Sequence, residues 1–123
     1  MTPHNPCVLV VDDEIAIRTL VCRVLNRAGL RAVQAADGVE AIDCLEQSAF
    51  DAIVLDLMMP RVDGFGVMDH LIKTKPDMLE KTIVLTAVQK EAVRQRVHRH
   101  CHVLSKPFDL QVLVAAVGEC VQR

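Results

Sequence analysis

Short apolar runs alternate with segments of helical period along this chain, and no other feature limits its fold so tightly. Cys7-Val8-Leu9-Val10-Val11, Ala52-Ile53-Val54-Leu55 and Ile83-Val84-Leu85 are continuous rather than alternating, as strands buried on both faces of a parallel sheet are. The helical segments between them complete a series of βα units. A second pattern lies at the strand ends. The first run closes on Asp12-Asp13, the second on Asp56, the third on Thr86, and a short fourth, Val103-Leu104-Ser105, on Lys106-Pro107. Open α/β sheets bind ligands outside the carboxyl ends of their strands. An acid pair, a lone acid, a hydroxyl and an ammonium at those ends therefore describe a pocket more readily than they describe packing.

The spacing predicts five βα units in one domain over residues 1–123, with strands at 7–11, 31–35, 51–55, 82–86 and 102–105. A first helix over 14–28 carries the stripe Ile17, Leu20, Val21, Val24, Leu25 and Ala28, with Gly29 set to close it. Asp37 and Glu40 form a capping box for a second helix, which presents Ala41, Ile42 and Leu45 and ends near Gln47. A third helix starts near Gly64, buries Val67, Met68, Leu71 and Ile72, and stops before Pro76. A fourth, near 89–99, has only Ala92, Val93 and Val97 to bury and is expected to be the most mobile. The last begins at an Asp109 cap, with Phe108 stapled against Leu113 and Leu110, Val114, Val117 and Val121 inward.

The 123 residues suit one domain, and roughly two-thirds of the unfolded surface is buried at this size. A net charge of −2 gives no field that would draw nucleic acid or an anionic membrane. No apolar run approaches the ~20 residues of a membrane span, and the N-terminus lacks a signal peptide's basic and apolar segments. Five cysteines, an odd number without a C-x-x-C pair, read as reduced and mostly buried thiols of a cytoplasmic protein.

If the first and third strands are neighbours, Asp12, Asp13 and Asp56 converge. Carboxylates a few ångströms apart repel by ~3–4 kcal/mol per pair at an effective dielectric of 20, so one is protonated or a cation joins them. Oxygen ligands suit Mg²⁺, which keeps waters and completes its shell on phosphate oxygens. Such a pocket can turn a carboxylate on phosphorus. Asp56, alone at its strand end, is the natural attacker; the Asp12-Asp13 pair can hold metal, Lys106 can take a phosphoryl oxygen, and Thr86 or the Ala87 N–H another. The plainer alternative is that Asp13 or Glu14 caps the first helix and Asp56 is a turn residue.

Together VVDDE (residues 10–14), LDLMMPRVDGF (55–65), VLTA (84–87) and SKPF (105–108) resemble a two-component response-regulator receiver domain of chemotaxis-regulator type. The four segments have that family's order and spacing and span almost the whole chain. The resemblance implies a flavodoxin-like, doubly wound five-stranded parallel sheet of order 2-1-3-4-5 with five helices. It implies that Asp56 accepts a phosphoryl group from a histidine kinase or phosphotransfer protein. Asp13, Asp56 and the Met58 carbonyl would ligate Mg²⁺, with Asp12 acting through water. Thr86 would be the switch hydroxyl, Lys106 the phosphate-binding lysine and Lys106-Pro107 a cis bond. The output would be the face of the fourth helix, fifth strand and fifth helix, read by an effector protein, in a monomer or phosphorylation-dependent dimer that contacts neither nucleic acid nor membrane. It would not be an enzyme beyond slow self-dephosphorylation, and it would be either a stand-alone regulator or a receiver cut from a larger protein.

The chain departs from the family pattern at three places. Val103 stands where a Tyr or Phe is usual, Arg99-His100 replace a Gly-Ala pair, and apolar Met58 borders the phosphoryl site. A Mg²⁺ phosphohydrolase with an aspartyl nucleophile is the alternative, but Met58 occupies the place of its second acid. A degenerate receiver that works without phosphorylation conflicts with the complete acid, Thr86 and Lys106 set. His98, His100, Cys101 and His102 lack the second ligand cluster of a zinc site, and Arg94, Arg96, His98 and Arg99 read as a solvated face or a dock for an acidic partner.

Overall fold

A computed structural model describes residues 5–59, 61–87, 91 and 95–122. Five strands, β1 (Cys7–Val11), β2 (Arg31–Ala35), β3 (Ala52–Asp56), β4 (Thr82–Thr86) and β5 (His102–Ser105), pair in parallel in the order β2-β1-β3-β4-β5. The expected sheet and strand order are both present. β1, β3 and β4 are the interior strands, and nearly every residue in them is buried, which explains their unbroken apolar runs.

Alternation divides the core between the two faces. Leu9, Val11, Ile53, Leu55 and Val84 pack with α2 (Gly38–Gln47) and α3 (Gly64–Thr74). Val8, Val10, Val54, Ile83 and Leu85 pack with α1 (Ile15–Arg27) and the C-terminal helix (Leu110–Val121). β1 turns to β2 on one side and to β3 on the other, so a crevice opens at the carboxyl ends of β1 and β3.

The helix ends follow local chemistry. Gly29, at φ 88°, closes α1: its N–H reaches the Asn26 carbonyl and the Leu30 N–H the Leu25 carbonyl, the paired bonds of a Schellman end. Asp37, Asp63 and Asp109 accept from Glu40, Gly66 and Gln111 N–H at the starts of α2, α3 and the C-terminal helix. The Glu40 carboxylate returns to the Ala36 N–H rather than to Asp37, one residue off the expected box. Phe108 and Leu113 share one apolar cluster, as the expected staple requires.

Several expectations need correction. α1 runs over 15–27 because Glu14 and Ala28 are its end residues. β3 begins at Ala52 and includes Asp56; Asp51 instead holds the start of β1, its carboxylate accepting the Cys7 N–H at 2.8 Å. Leu20 and Ile72 are 46% and 44% exposed, and Ala28 is exposed too, because each stripe is wider than the contact it serves. A 3-10 helix (Pro76–Lys81) was not foreseen. The predicted fourth helix lies mostly outside the described residues; Gln95 bonds back to the Glu91 carbonyl at helical spacing, and none of residues 95–100 is helical. Its expected mobility, and Ala92 and Val93, lie outside the described residues too. No helix among the described residues is long and apolar enough to cross a membrane. None of the five cysteines is in a disulfide; Cys22 and Cys120 are buried and the others half-buried. Burial pushes the Cys101 thiol up to about 11, where it is an inert packing group.

Candidate functional site

β1 and β3 bring three acids to the crevice. Asp12 follows the last residue of β1 and is buried, Asp13 is exposed beside it, and Asp56 is the buried end of β3. Each offers a carboxylate oxygen, and these oxygens lie within 4.8 Å of one another. This is the one group of three or more metal-capable side chains among the described residues; His98, His100, Cys101 and His102 do not converge into another.

Lys106 enters from the end of β5. Its Nζ lies 3.3 Å from Asp56 Oδ1 and 3.7 Å from Asp12 Oδ2. The Lys106 N–H donates to the Thr86 carbonyl at 2.7 Å, so the last residue of β4 and the lysine share one backbone bond. Lys106-Pro107 is cis, as anticipated. Buried Thr86 and exposed Ala87 lie at the same rim. The Met58 N–H donates to the Asp56 carboxylate, which keeps the chain after β3 against the acid while the Met58 side chain is exposed.

Asp12 tests whether a cation fits. Its Oδ1 accepts the Glu14 N–H at 2.9 Å, so Asp12, not Asp13, serves the start of α1. Its Oδ2 is buried without a hydrogen-bond donor among the described residues, which is costly for a charged oxygen. Asp56 shows the same deficit in its titration. Burial first, and the neighbouring Asp12 charge second, push its carboxyl up to about 6 although Lys106 and the Met58 N–H pull it down. Among the described residues one ammonium faces three carboxylates, and an all-oxygen set of this kind fits a hard divalent cation.

The loop after β3 is clamped to α2. A Cβ at Gly38 would stand 2.1 Å from the Val62 carbonyl oxygen, and one at Gly66 would stand 2.5 Å from Val62 Cγ1. Arg61, at φ 64°, ion-pairs with Asp37. The Glu40 N–H and then the Arg61 guanidinium hold the Asp37 carboxyl below its ordinary range. Sequence reasoning missed this clamp; the Asp37-Gly38 step was its one visible signal. It also missed Arg18 of α1, which donates to the Asp12 carbonyl at 2.7 Å; a cation in the first turn of a helix was the clue.

Val103 is half-buried, packed on the face occupied by α2 and α3, while Arg99 and His100 are exposed in the turn before β5. Within the predicted basic segment, Arg96 stacks 4.0 Å over the Phe65 ring, so it is not a merely solvated charge.

Residues 8–118 match the response regulator receiver domain family. Response regulator MprA of Mycobacterium sp. (strain KMS) is 39% identical over 120 residues, covering 94% of this chain and 50% of the relative. MprA of Mycobacterium tuberculosis has the same identity and the same coverage. The chain thus spans about half the length of these curated relatives. Among solved structures, the receiver domain of Francisella response regulator 1452 superposes with a TM-score of 0.86 at 28% identity, covering 97% of this chain and 98% of that one. The Vibrio cholerae chemotaxis protein CheY4 superposes at 0.79 with 30% identity, covering 95% and 99%.

Proposed function

This chain belongs to the response regulator receiver domain family, and from that premise we propose that it is a phosphorylation-dependent switch whose acceptor is Asp56. The donor on this reading is a phosphohistidine of a histidine kinase or phosphotransfer protein. An Asp56 oxygen attacks phosphorus, the P–N bond breaks, and its electron pair leaves with the imidazole, which takes up a proton. An acyl phosphate remains on Asp56. Lys106 takes one phosphoryl oxygen, and Thr86 and the Ala87 N–H take others.

The observation that carries the reading is the Lys106 ammonium shared between Asp56 Oδ1 and an Asp12 oxygen that has no hydrogen-bond donor among the described residues. Asp13, Asp56 and the Met58 carbonyl would hold Mg²⁺ directly, with Asp12 acting through water. Bound there, Mg²⁺ neutralises charge that develops on the transferred phosphoryl group. The apolar cleft of Ile17, Leu20, Phe108 and Leu110 beside Lys106 offers a donor protein a surface within reach of Asp56.

Phosphorylation adds roughly −1.5 to −2 charge and three acceptor oxygens. The 2.7 Å bond between Lys106 N–H and the Thr86 carbonyl makes the ends of β4 and β5 respond together. The output surface on this reading is the segment after Thr86 with β5 and the C-terminal helix, recognised by an effector protein in the cytoplasm. Val103 lacks the volume of a ring, so the response does not depend on an aromatic swing.

Intact mass after incubation with acetyl phosphate and Mg²⁺ tests the acceptor. The parent should gain one phosphoryl group and Asp56→Asn none; gain by both would reject Asp56. Hydrogen exchange with beryllofluoride tests the output, and unchanged protection over residues 88–103 would reject that face.

A further inference from the structure

Arg18 is the fourth residue of α1, a cation in a first turn that contains no acid. Helix N-termini present unpaired N–H groups and disfavour positive charge there. Its guanidinium is used away from the helix. Nη1 donates to the Asp12 carbonyl at 2.7 Å, and Nε donates to Gln34 Oε1 on β2 at 2.9 Å. The Asp12 N–H donates to the Ala35 carbonyl at 3.2 Å. The peptide units on both sides of Asp12 are therefore held, one by β2 and one by Arg18. The second is the link between Asp12 and Asp13, and its orientation sets where both carboxylates leave the chain.

We propose that Arg18, braced by Gln34, is a positioning residue that holds the Asp12-Asp13 peptide in the orientation Mg²⁺ binding needs. The inference rests on the metal site of the proposed function. Charge cannot be what Arg18 contributes, since a unit positive charge beside three acids opposes a divalent cation. Its planar fork can. Two donors at fixed angles span two acceptors on neighbouring strand ends, which the point charge of a lysine does not do. Gln34 lies on edge strand β2 in register with Val10, toward the α1 face, and it keeps the fork from turning.

Arg18→Lys and Gln34→Ala both conserve charge and separate position from field. Mg²⁺ alone is titrated calorimetrically into each folded variant and the parent, with melting temperatures measured without metal. Both variants should bind Mg²⁺ roughly tenfold more weakly, as loss of a partner that orients a ligand does. Their metal-free melting temperatures should stay close to the parent's. Affinities within twofold of the parent's, or losses that only follow a fall in melting temperature, overturn the inference. So does weakening in Arg18→Lys while Gln34→Ala binds like the parent. A parent that binds no Mg²⁺ instead rejects the underlying metal site.

Discussion

Lys106 Nζ stands 3.3 Å from Oδ1 of Asp56, an acid fifty positions earlier in the chain. The same ammonium lies 3.7 Å from Asp12 Oδ2, so its single charge is divided between two buried carboxylates. The fold holds the lysine at the end of β5 and the two acids at the ends of β1 and β3. The result is a site with surplus negative charge, most plainly expressed in Asp56.

Removing the ammonium should aggravate that surplus. Lys106→Met takes away the attraction that pulls Asp56 down, and loss of a neighbouring cation raises a carboxyl's pKa. Asp56 should then titrate above about 6 in carbon-detected NMR of metal-free protein. An unchanged or lower midpoint would mean that Lys106 does not act on Asp56.

Stability should carry the same signature. Asp56 titrates near 6 in the fold and near ~3.9 when unfolded. Between those values the native state holds the proton and the unfolded state does not, so stability falls as pH rises through that window. The deficit is complete above the folded midpoint and amounts to roughly 3 kcal/mol. Asp56→Asn should match the parent near pH 4 and exceed it by about that amount at pH 7 in chelator-treated urea denaturation. A variant less stable than the parent at pH 7 would make Asp56 a structural acceptor instead.

A bound cation should reverse the parent's deficit. Mg²⁺ that binds only the folded chain adds about 2.7 kcal/mol at a hundredfold excess over its Kd. The parent's melting temperature should climb with Mg²⁺ concentration, while Asp56→Asn and Asp12→Asn respond much less. Equal shifts in all three would place the ion elsewhere.

Two glycines should answer the same substitution in opposite ways. A methyl at Gly38 meets the Val62 backbone carbonyl at 2.1 Å, so Gly38→Ala must push the loop after β3 off α2 and should cost about 3 kcal/mol. Gly118, within the C-terminal helix, has nothing within 4 Å of a new Cβ, and Gly118→Ala should add about 0.5–1 kcal/mol. Urea midpoints measure both; a mild Gly38→Ala would mean that the clamp is loose.

The apolar runs by themselves determined that Val8 to Val11, Ala52 to Leu55 and Ile83 to Leu85 are buried strands, because a continuous run without helical period has few other solutions. They also determined that acids, a hydroxyl and an ammonium would lie at strand ends, since those residues follow the runs directly. Burial limits were less legible. Leu20 and Ile72 fit their stripes yet are largely exposed, because periodicity gives a face but not the width of what covers it. No local pattern placed β1 between β2 and β3; the family resemblance implied that order and the structure has it, which is what turns separate acids into one cluster. Tertiary structure alone decided that Asp12 rather than Asp13 serves the helix start, that Val62 is wedged against Gly38, and that Arg18 reaches back to Asp12. Each of these depends on which backbones approach across the sheet. That is a product of packing between distant segments, and no local pattern encodes it.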